Sequence, residues 1–181
     1  MKSFKNFLIE AAQEFTSAET SINSSKLPTG YSTVHKRMGW KKGTTHIDIG
    51  GGKFDNGVKF LENLGVEAHV FDPYNRTAEH NERVMGTVGK KGADTASLFN
   101  VLNVIKEPEH RHEALKTAHK SLKPGGRLFV SIYEGDRSGK GKKTKKNSWQ
   151  NNAHTKAYLD DVRKVFPNAK LQHGMIHGTK E

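Results

Sequence analysis

Cysteine is absent from the 181 residues, which excludes disulfides and cysteine-based metal sites. Long apolar runs are missing too. Nowhere do about 18 apolar residues follow one another, the length a membrane-spanning helix needs. Met1 to Phe15 carries Lys2, Lys5, Glu10 and Glu14 and is too polar for the apolar stretch of a signal peptide. The expected location is therefore the cytoplasm. Acidic residues are in short supply: 19 Asp and Glu against 30 Lys and Arg give a formal net charge of +11 and an isoelectric point near 9.8. That excess favours an anionic partner such as nucleic acid. Hydrophobic residues are only 33% of the chain and the mean hydropathy is −0.76, so the surface is large and polar. The length suits one domain with a sizeable core, but is short for a second, target-recognising unit.

The most informative stretch is residues 44–55, Thr-Thr-His-Ile-Asp-Ile-Gly-Gly-Gly-Lys-Phe-Asp. Ile47 and Ile49 alternate with polar neighbours, as in a strand. Gly50, Gly51 and Gly52 then form a turn that residues bearing a Cβ take less readily. Val58, Phe60, Leu61 and Leu64 follow on one helical face, stopped by Gly65. Strand, glycine turn and helix are how an α/β protein holds a nucleotide-like ligand. A dinucleotide fingerprint would need a third glycine at position 55, where Asp55 stands and would repel a pyrophosphate. An acid two positions before the first glycine suits a ligand with a cationic end.

Asp48-Ile49-Gly50-Gly51-Gly52 resembles the first motif, acid-x-Gly-x-Gly, of the class I methyltransferases that use S-adenosylmethionine (SAM). Three further segments resemble that family in the same order, so the likeness spans about residues 44–134. Val66 to Phe71 reads as a second strand ending in Asp72, placed to take the hydroxyls of a ribose, or simply to cap the helix expected over Arg76 to Val84. Pro73 and Tyr74 follow where a side chain lies against adenine. Ala93 to Val104 resembles the family's fourth strand and its loop beside the transferred methyl, with Asn100, Val101 and Asn103 facing cofactor and substrate. A helix over Glu109 to Ser121, the Pro124-Gly125-Gly126 turn and a strand through Val130 complete the set.

The resemblance implies a three-layer Rossmann-like α/β fold with a mostly parallel, trimmed sheet of five to seven strands. A clear third strand is missing; Arg83 to Val88 is its only candidate. The implied cofactor is SAM, leaving as S-adenosylhomocysteine, held by Asp48, Gly50, Gly51, Gly52, Phe54, Asp72, Pro73, Asn100 and Val101, with no metal. The implied activity is methyl transfer to a small molecule or a nucleic acid. Two alternatives stand beside it: a degenerate SAM-binding relative that binds nucleic acid, and an enzyme that consumes SAM without methylating. Absence of cysteine argues against C5-pyrimidine methylation. The lack of an Asp/Asn-Pro-Pro-aromatic motif after Asn100 argues against amino methylation of DNA bases, and Asn100 replaces the Asp of the ribose-methylating tetrad.

The organisation expected is a single unit with an N-terminal helical or lid segment (1–43), a SAM-binding core (44–134), a mobile basic loop (135–153) and a C-terminal helix and strand (154–181). Phe4, Phe7, Leu8, Ala11 and Phe15 share a helical face, before a Ser/Thr/Asn-rich link at 16–25. Leu8-Ile9-Glu10 also resembles the protease signal in leaders of internal virion proteins of large tailed phages, which would imply a host-cytoplasm or virion setting. Tyr31 and His35, ahead of the first strand, are candidates to cover the cofactor. In the basic loop, Arg137, Lys140, Lys142, Lys143, Lys145 and Lys146 occur without an acid. Trp149 either stacks on a base while these cations hold phosphate, or tucks against the core. Thr155 to Phe166 reads as a helix and Lys170 to Gly178 as one last strand. Tyr133 and Glu134, at the end of the fifth strand, are the candidate bases, Glu134 being equally a plain strand-end carboxylate. The ten histidines lack zinc spacing and read as surface residues.

Overall fold

The computed structural model describes residues 13–17 and 26–181. Most of the first helix expected from the sequence, the Leu8-Ile9-Glu10 motif and most of the 16–25 link lie outside them. The described part is an α/β fold whose main sheet has the order β2-β1-β3-β4-β8-β7. Strands β1 (Thr45–Ile49), β2 (Glu67–Phe71), β3 (Ala93–Phe99) and β4 (Leu122–Ser131) run parallel, and β8 (Met175–Thr179) closes antiparallel on β4. The mostly parallel sheet expected from the motifs is present, with six strands.

Period-two alternation sends each strand's side chains to two different layers. Ile47, Ile49, Leu98, Leu128 and Val130 face the layer of α3 (Ala78–Lys91), α4 (Pro108–Ser121) and α5 (Leu159–Arg163). Phe99 and Phe129 face the opposite layer, with Tyr31 and Val34 of α1 (Thr29–Arg37) and Leu61 of α2 (Asn56–Asn63). Each fully buried side chain of this size contributes about 1.5–3 kcal/mol.

Four expectations are corrected. Arg83 to Val88 is not a strand: it lies within α3, whose Asn81, Val84 and Val88 are buried at helical spacing and whose N-terminus is capped by Thr77 Oγ1 accepting from the His80 N–H (3.1 Å). The residues between β2 and β3 thus form one helix and no extra strand. The C-terminal segment is two strands, β7 (Lys170–Gln172) and β8, joined by His173 and Gly174. Both joining residues have positive φ, as a type I′ two-residue hairpin turn requires. The helix expected over Thr155 to Phe166 is a 3-10 turn at Thr155–Tyr158 followed by the short α5. Finally, the basic segment is not a mobile loop. It is a β-hairpin of β5 (Gly141–Lys145) and β6 (Ser148–Asn151).

Candidate functional site

The site lies at the carboxyl ends of β1, β2 and β3, where ligands bind in open α/β sheets. Gly50 and Gly52 have φ of 75° and 78°, a region L side chains rarely adopt. A Cβ on Gly50 would also sit 2.8 Å from Val101. Arg76 ties this turn down: its Nε donates to the Gly52 carbonyl (2.7 Å) and its guanidinium pairs with Asp55 (2.8 Å). Asp55, where a dinucleotide fold would have its third glycine, therefore anchors the turn.

Two cavities open around it. The larger, about 420 Å³, is lined by Asp48, Gly51, Gly52, Phe54, Asn103 and Tyr133, among others. The smaller, about 160 Å³, is bounded by Phe71, Asp72, Pro73, Tyr74, Val101 and Ile105. Gly50, Asn100 and Val104 belong to both walls. All nine residues that the resemblance assigns to the cofactor thus come together around these two cavities. Tyr31 also lines the larger one. His35 lines neither and instead packs edge-on against Phe60 at 5.8 Å.

Asp48 is buried on the α1–α2 face of the sheet. Its Oδ2 accepts from the Tyr31 hydroxyl (2.5 Å) and its Oδ1 from Ser97 Oγ (2.6 Å). Burial pushes its carboxyl up to about 6, against the pull of those two donors, with the Asp72 charge adding to the rise and Arg76 opposing it. The same burial and the Asp48 charge hold the Tyr31 phenol well above its ordinary range, so Tyr31 stays a proton donor. Behind Ser97 lies His46, fully buried, with Nε2 2.9 Å from Ser97 Oγ and Nδ1 2.8 Å from Thr95 Oγ1. Ser97 uses its proton on Asp48, so it accepts from His46 Nε2–H, and His46 Nδ1 accepts from Thr95. Burial lowers His46 to about 3, which keeps the ring neutral. The reading of the histidines as surface residues is therefore corrected for His46. The sequence offered a signal for it: His46 and Asp48 are two apart in β1 and so share a face.

Asp72, at the end of β2, accepts four hydrogen bonds. Its Oδ2 receives the Gly52 N–H (2.9 Å) and the Asn75 amide (3.1 Å), and its Oδ1 receives the N–H groups of Tyr74 and Asn75 (both 3.0 Å). The carboxylate pins the turn after β2 to the glycine turn after β1. It does not cap α3, which Thr77 does. Asn100, closing β3, holds φ of 59° while its N–H donates to the Ser131 carbonyl (2.9 Å). Asparagine tolerates this left-handed region and β-branched residues do not. Asn100→Val should therefore lower Tm by about 3–6 °C, and Asn100→Gly should leave it nearly unchanged in a thermal melt.

Asn103 is buried, and its amide donates to Gln150 Oε1 (3.1 Å). Gln150 Nε2 is used on the carbonyls of Tyr133 and Asn151, which fixes both amide orientations and leaves Asn103 Oδ1 without a partner. Tyr133 is 63% exposed. Glu134 is corrected as a base candidate. Its carboxylate accepts from the Thr155 N–H and hydroxyl (both 2.8 Å) and pairs with Arg137 (2.8 Å). The Thr155 hydrogen bonds foremost hold it at about 2, and it lines neither cavity. Glu134→Gln should consequently leave methyl transfer within about twofold, since no proton transfer is lost, as initial rates with a labelled methyl donor would show.

Among the described residues no group of three or more His, Asp or Glu side chains could hold a metal ion, and no helix is long and apolar enough to cross a membrane.

The comparisons with known proteins agree with this geometry. Residues 24–172 match the model of a methyltransferase domain family. No curated protein matches the chain. Among solved structures, a 1,6-didemethyltoxoflavin-N1-methyltransferase of Burkholderia thailandensis with bound S-adenosylhomocysteine is similar, with a TM-score of 0.60 at 13% identity, over 84% of this chain and 76% of that one. A SAM-dependent methyltransferase from Methanosarcina mazei gives 0.55 at 14% identity, over 78% and 94%. The PH0226 protein of Pyrococcus horikoshii gives 0.56 at 15% identity, over 99% and 100%. At these identities the solved structures speak for the fold, while the family model covers most of the sequence: the chain belongs to the methyltransferase domain family.

Proposed function

We propose that the two cavities together hold SAM and that the chain passes its methyl group to an acceptor entering through the larger one. The observation that supports this most is Asp48: a buried carboxylate beside a glycine turn, in the cavity wall, with hydroxyls as its hydrogen-bond donors. That arrangement suits a ligand with a cationic end. Asp48 and Gly50–Gly52 would hold the amino-acid end of SAM, Asp72 its ribose, and Pro73 and Val101 its adenine.

SAM supplies a methyl group on a positively charged sulfur, already activated for attack. The chain's own residues then have to align the acceptor and exclude water. Asn103 and Tyr133 flank the larger cavity, and Gln150 ties the β5–β6 hairpin to the loop that carries Asn103. A base is needed only for an acceptor that arrives protonated.

A second reading, a degenerate relative that no longer transfers methyl groups, is favoured by Asp72, whose carboxylate already accepts four internal hydrogen bonds. Incubation with methyl-labelled SAM and separate RNA, DNA, protein and small-molecule fractions decides between them. Label transferred to one fraction supports the enzyme. SAM binding with no transfer to any fraction supports the degenerate relative.

A further inference from the structure

The segment with the densest positive charge is built as a fixed wall of the larger cavity. Thr144, Trp149 and Gln150 of the hairpin line that cavity, and all five residues of β5 are exposed. Several contacts hold the hairpin in place. Gln150 is bonded to Asn103, the Asn151 amide donates to the Ile105 carbonyl (2.9 Å), and the Ser17 N–H donates to the Asn147 carbonyl (2.9 Å). Trp149 stacks on Phe15 with centroids 5.4 Å apart. Lys142 is neutralised by Asp136 (3.0 Å), and Lys143 lies over the Phe15 ring. Among the described residues Lys140, Lys145 and Lys146 have no carboxylate partner.

We propose that this hairpin holds the phosphates of a single-stranded nucleic acid, so that one unstacked base reaches the larger cavity. The inference rests on the methyltransferase reading and names the class of its acceptor. Lysines on a rigid edge attract a polyanion and release its counterions. A duplex keeps its bases in the stack, whereas a single strand presents them to aromatic faces. Those faces are present. Phe54 and Tyr133, 39% and 63% exposed, both line the larger cavity. Trp149 has given a face to Phe15, so base stacking falls to Phe54 and Tyr133. Asn103, whose buried Oδ1 has no hydrogen-bond partner, lines the same cavity.

The test is fluorescence anisotropy of labelled 12-nucleotide RNA and DNA strands, and of the matching duplex, against the full chain at several salt concentrations. The single strands should bind more tightly than the duplex, and log affinity should fall linearly with log salt. The variant carrying Lys140→Ala, Lys143→Ala, Lys145→Ala and Lys146→Ala should flatten that slope by about 0.7 for each phosphate it no longer neutralises. Tyr133→Ala and Phe54→Ala should each weaken binding by about tenfold without changing the slope. Calorimetry of the lysine variant with SAM keeps the two readings apart. Intact SAM binding with salt-independent or duplex-preferring nucleic-acid binding overturns this proposal and leaves the methyltransferase reading standing. A mononucleotide bound as tightly as the strands overturns it too, in favour of a small anionic acceptor.

Discussion

Asp48→Asn lowers the affinity for SAM by about ten- to a hundredfold at pH 8, the scale of one charge-assisted hydrogen bond removed from a buried site. The substitution keeps the shape of the side chain and removes its charge. It also turns one of its two acceptors into a donor, which then faces the proton of either Tyr31 or Ser97. S-Adenosylhomocysteine, which carries the same ammonium at its amino-acid end, loses about as much. The wild type carries the same information in its pH dependence. Asp48 titrates near 6, above its ordinary 3.8, because it is buried. A raised carboxyl stabilises the ligand-free fold when protonated, so that contribution is present below pH 3.8 and lost as the pH rises through 6. Binding of a cationic ligand runs the other way, because it needs the carboxylate. SAM affinity should be level above about pH 7 and fall by up to about tenfold per unit below about pH 6. Calorimetric titrations from about pH 5 to 8 check this. Equal affinity across that range would remove Asp48 from the binding site. Ser97→Ala takes away a donor to the carboxylate and should move the midpoint to higher pH.

Asp72→Ala has the second large effect, and it acts on both stability and binding. Four donors lose their acceptor: the N–H groups of Gly52, Tyr74 and Asn75 and the Asn75 amide. Leaving such groups unsatisfied costs about 1–3 kcal/mol each when buried, so a drop in Tm of at least about 4 °C is expected. SAM affinity should fall more than about tenfold if the carboxylate takes the ribose hydroxyls. Asn75→Ala separates the two roles. It frees a position on Oδ2 while leaving the backbone donors in place, so SAM binding should be kept or tightened. A loss of SAM affinity in Asn75→Ala as large as in Asp72→Ala would show that the carboxylate serves the turn alone.

The parts of this fold that can be read in the sequence are those fixed by local chemistry. The alternation of Ile47 and Ile49 and the glycines whose φ is positive each constrain the backbone within a few residues. The placement of Asp48 and Asp72 at strand ends follows from them. The expected Pro124-Gly125-Gly126 turn, by contrast, is an irregularity inside β4, where the register with β3 shifts. The basic hairpin is not legible, because nothing in Lys140 to Lys146 alternates. Its pairing is sustained by distant partners, Gln150 with Asn103 and Trp149 with Phe15. The absent strand is half legible. Gly86 and Gly89 suggest a break between Arg83 and Gly92, yet both have open space around them within α3, and the buried Asn81, Val84 and Val88 decide for a helix. Glu134 sits where a base is expected, but Thr155, some twenty residues on, takes up its carboxylate. His46 escapes notice when histidines are weighed as metal ligands, because its place is in a buried hydrogen-bond chain in which its direct partners, Thr95 and Ser97, lie on β3.

The most direct measurement is a calorimetric titration of the purified protein with SAM and with S-adenosylhomocysteine. Binding of both at micromolar concentration, with SAM affinity falling below about pH 6, is the result predicted. Absence of binding by either ligand, at any pH from about 5 to 8, would contradict the assignment of the two cavities to SAM.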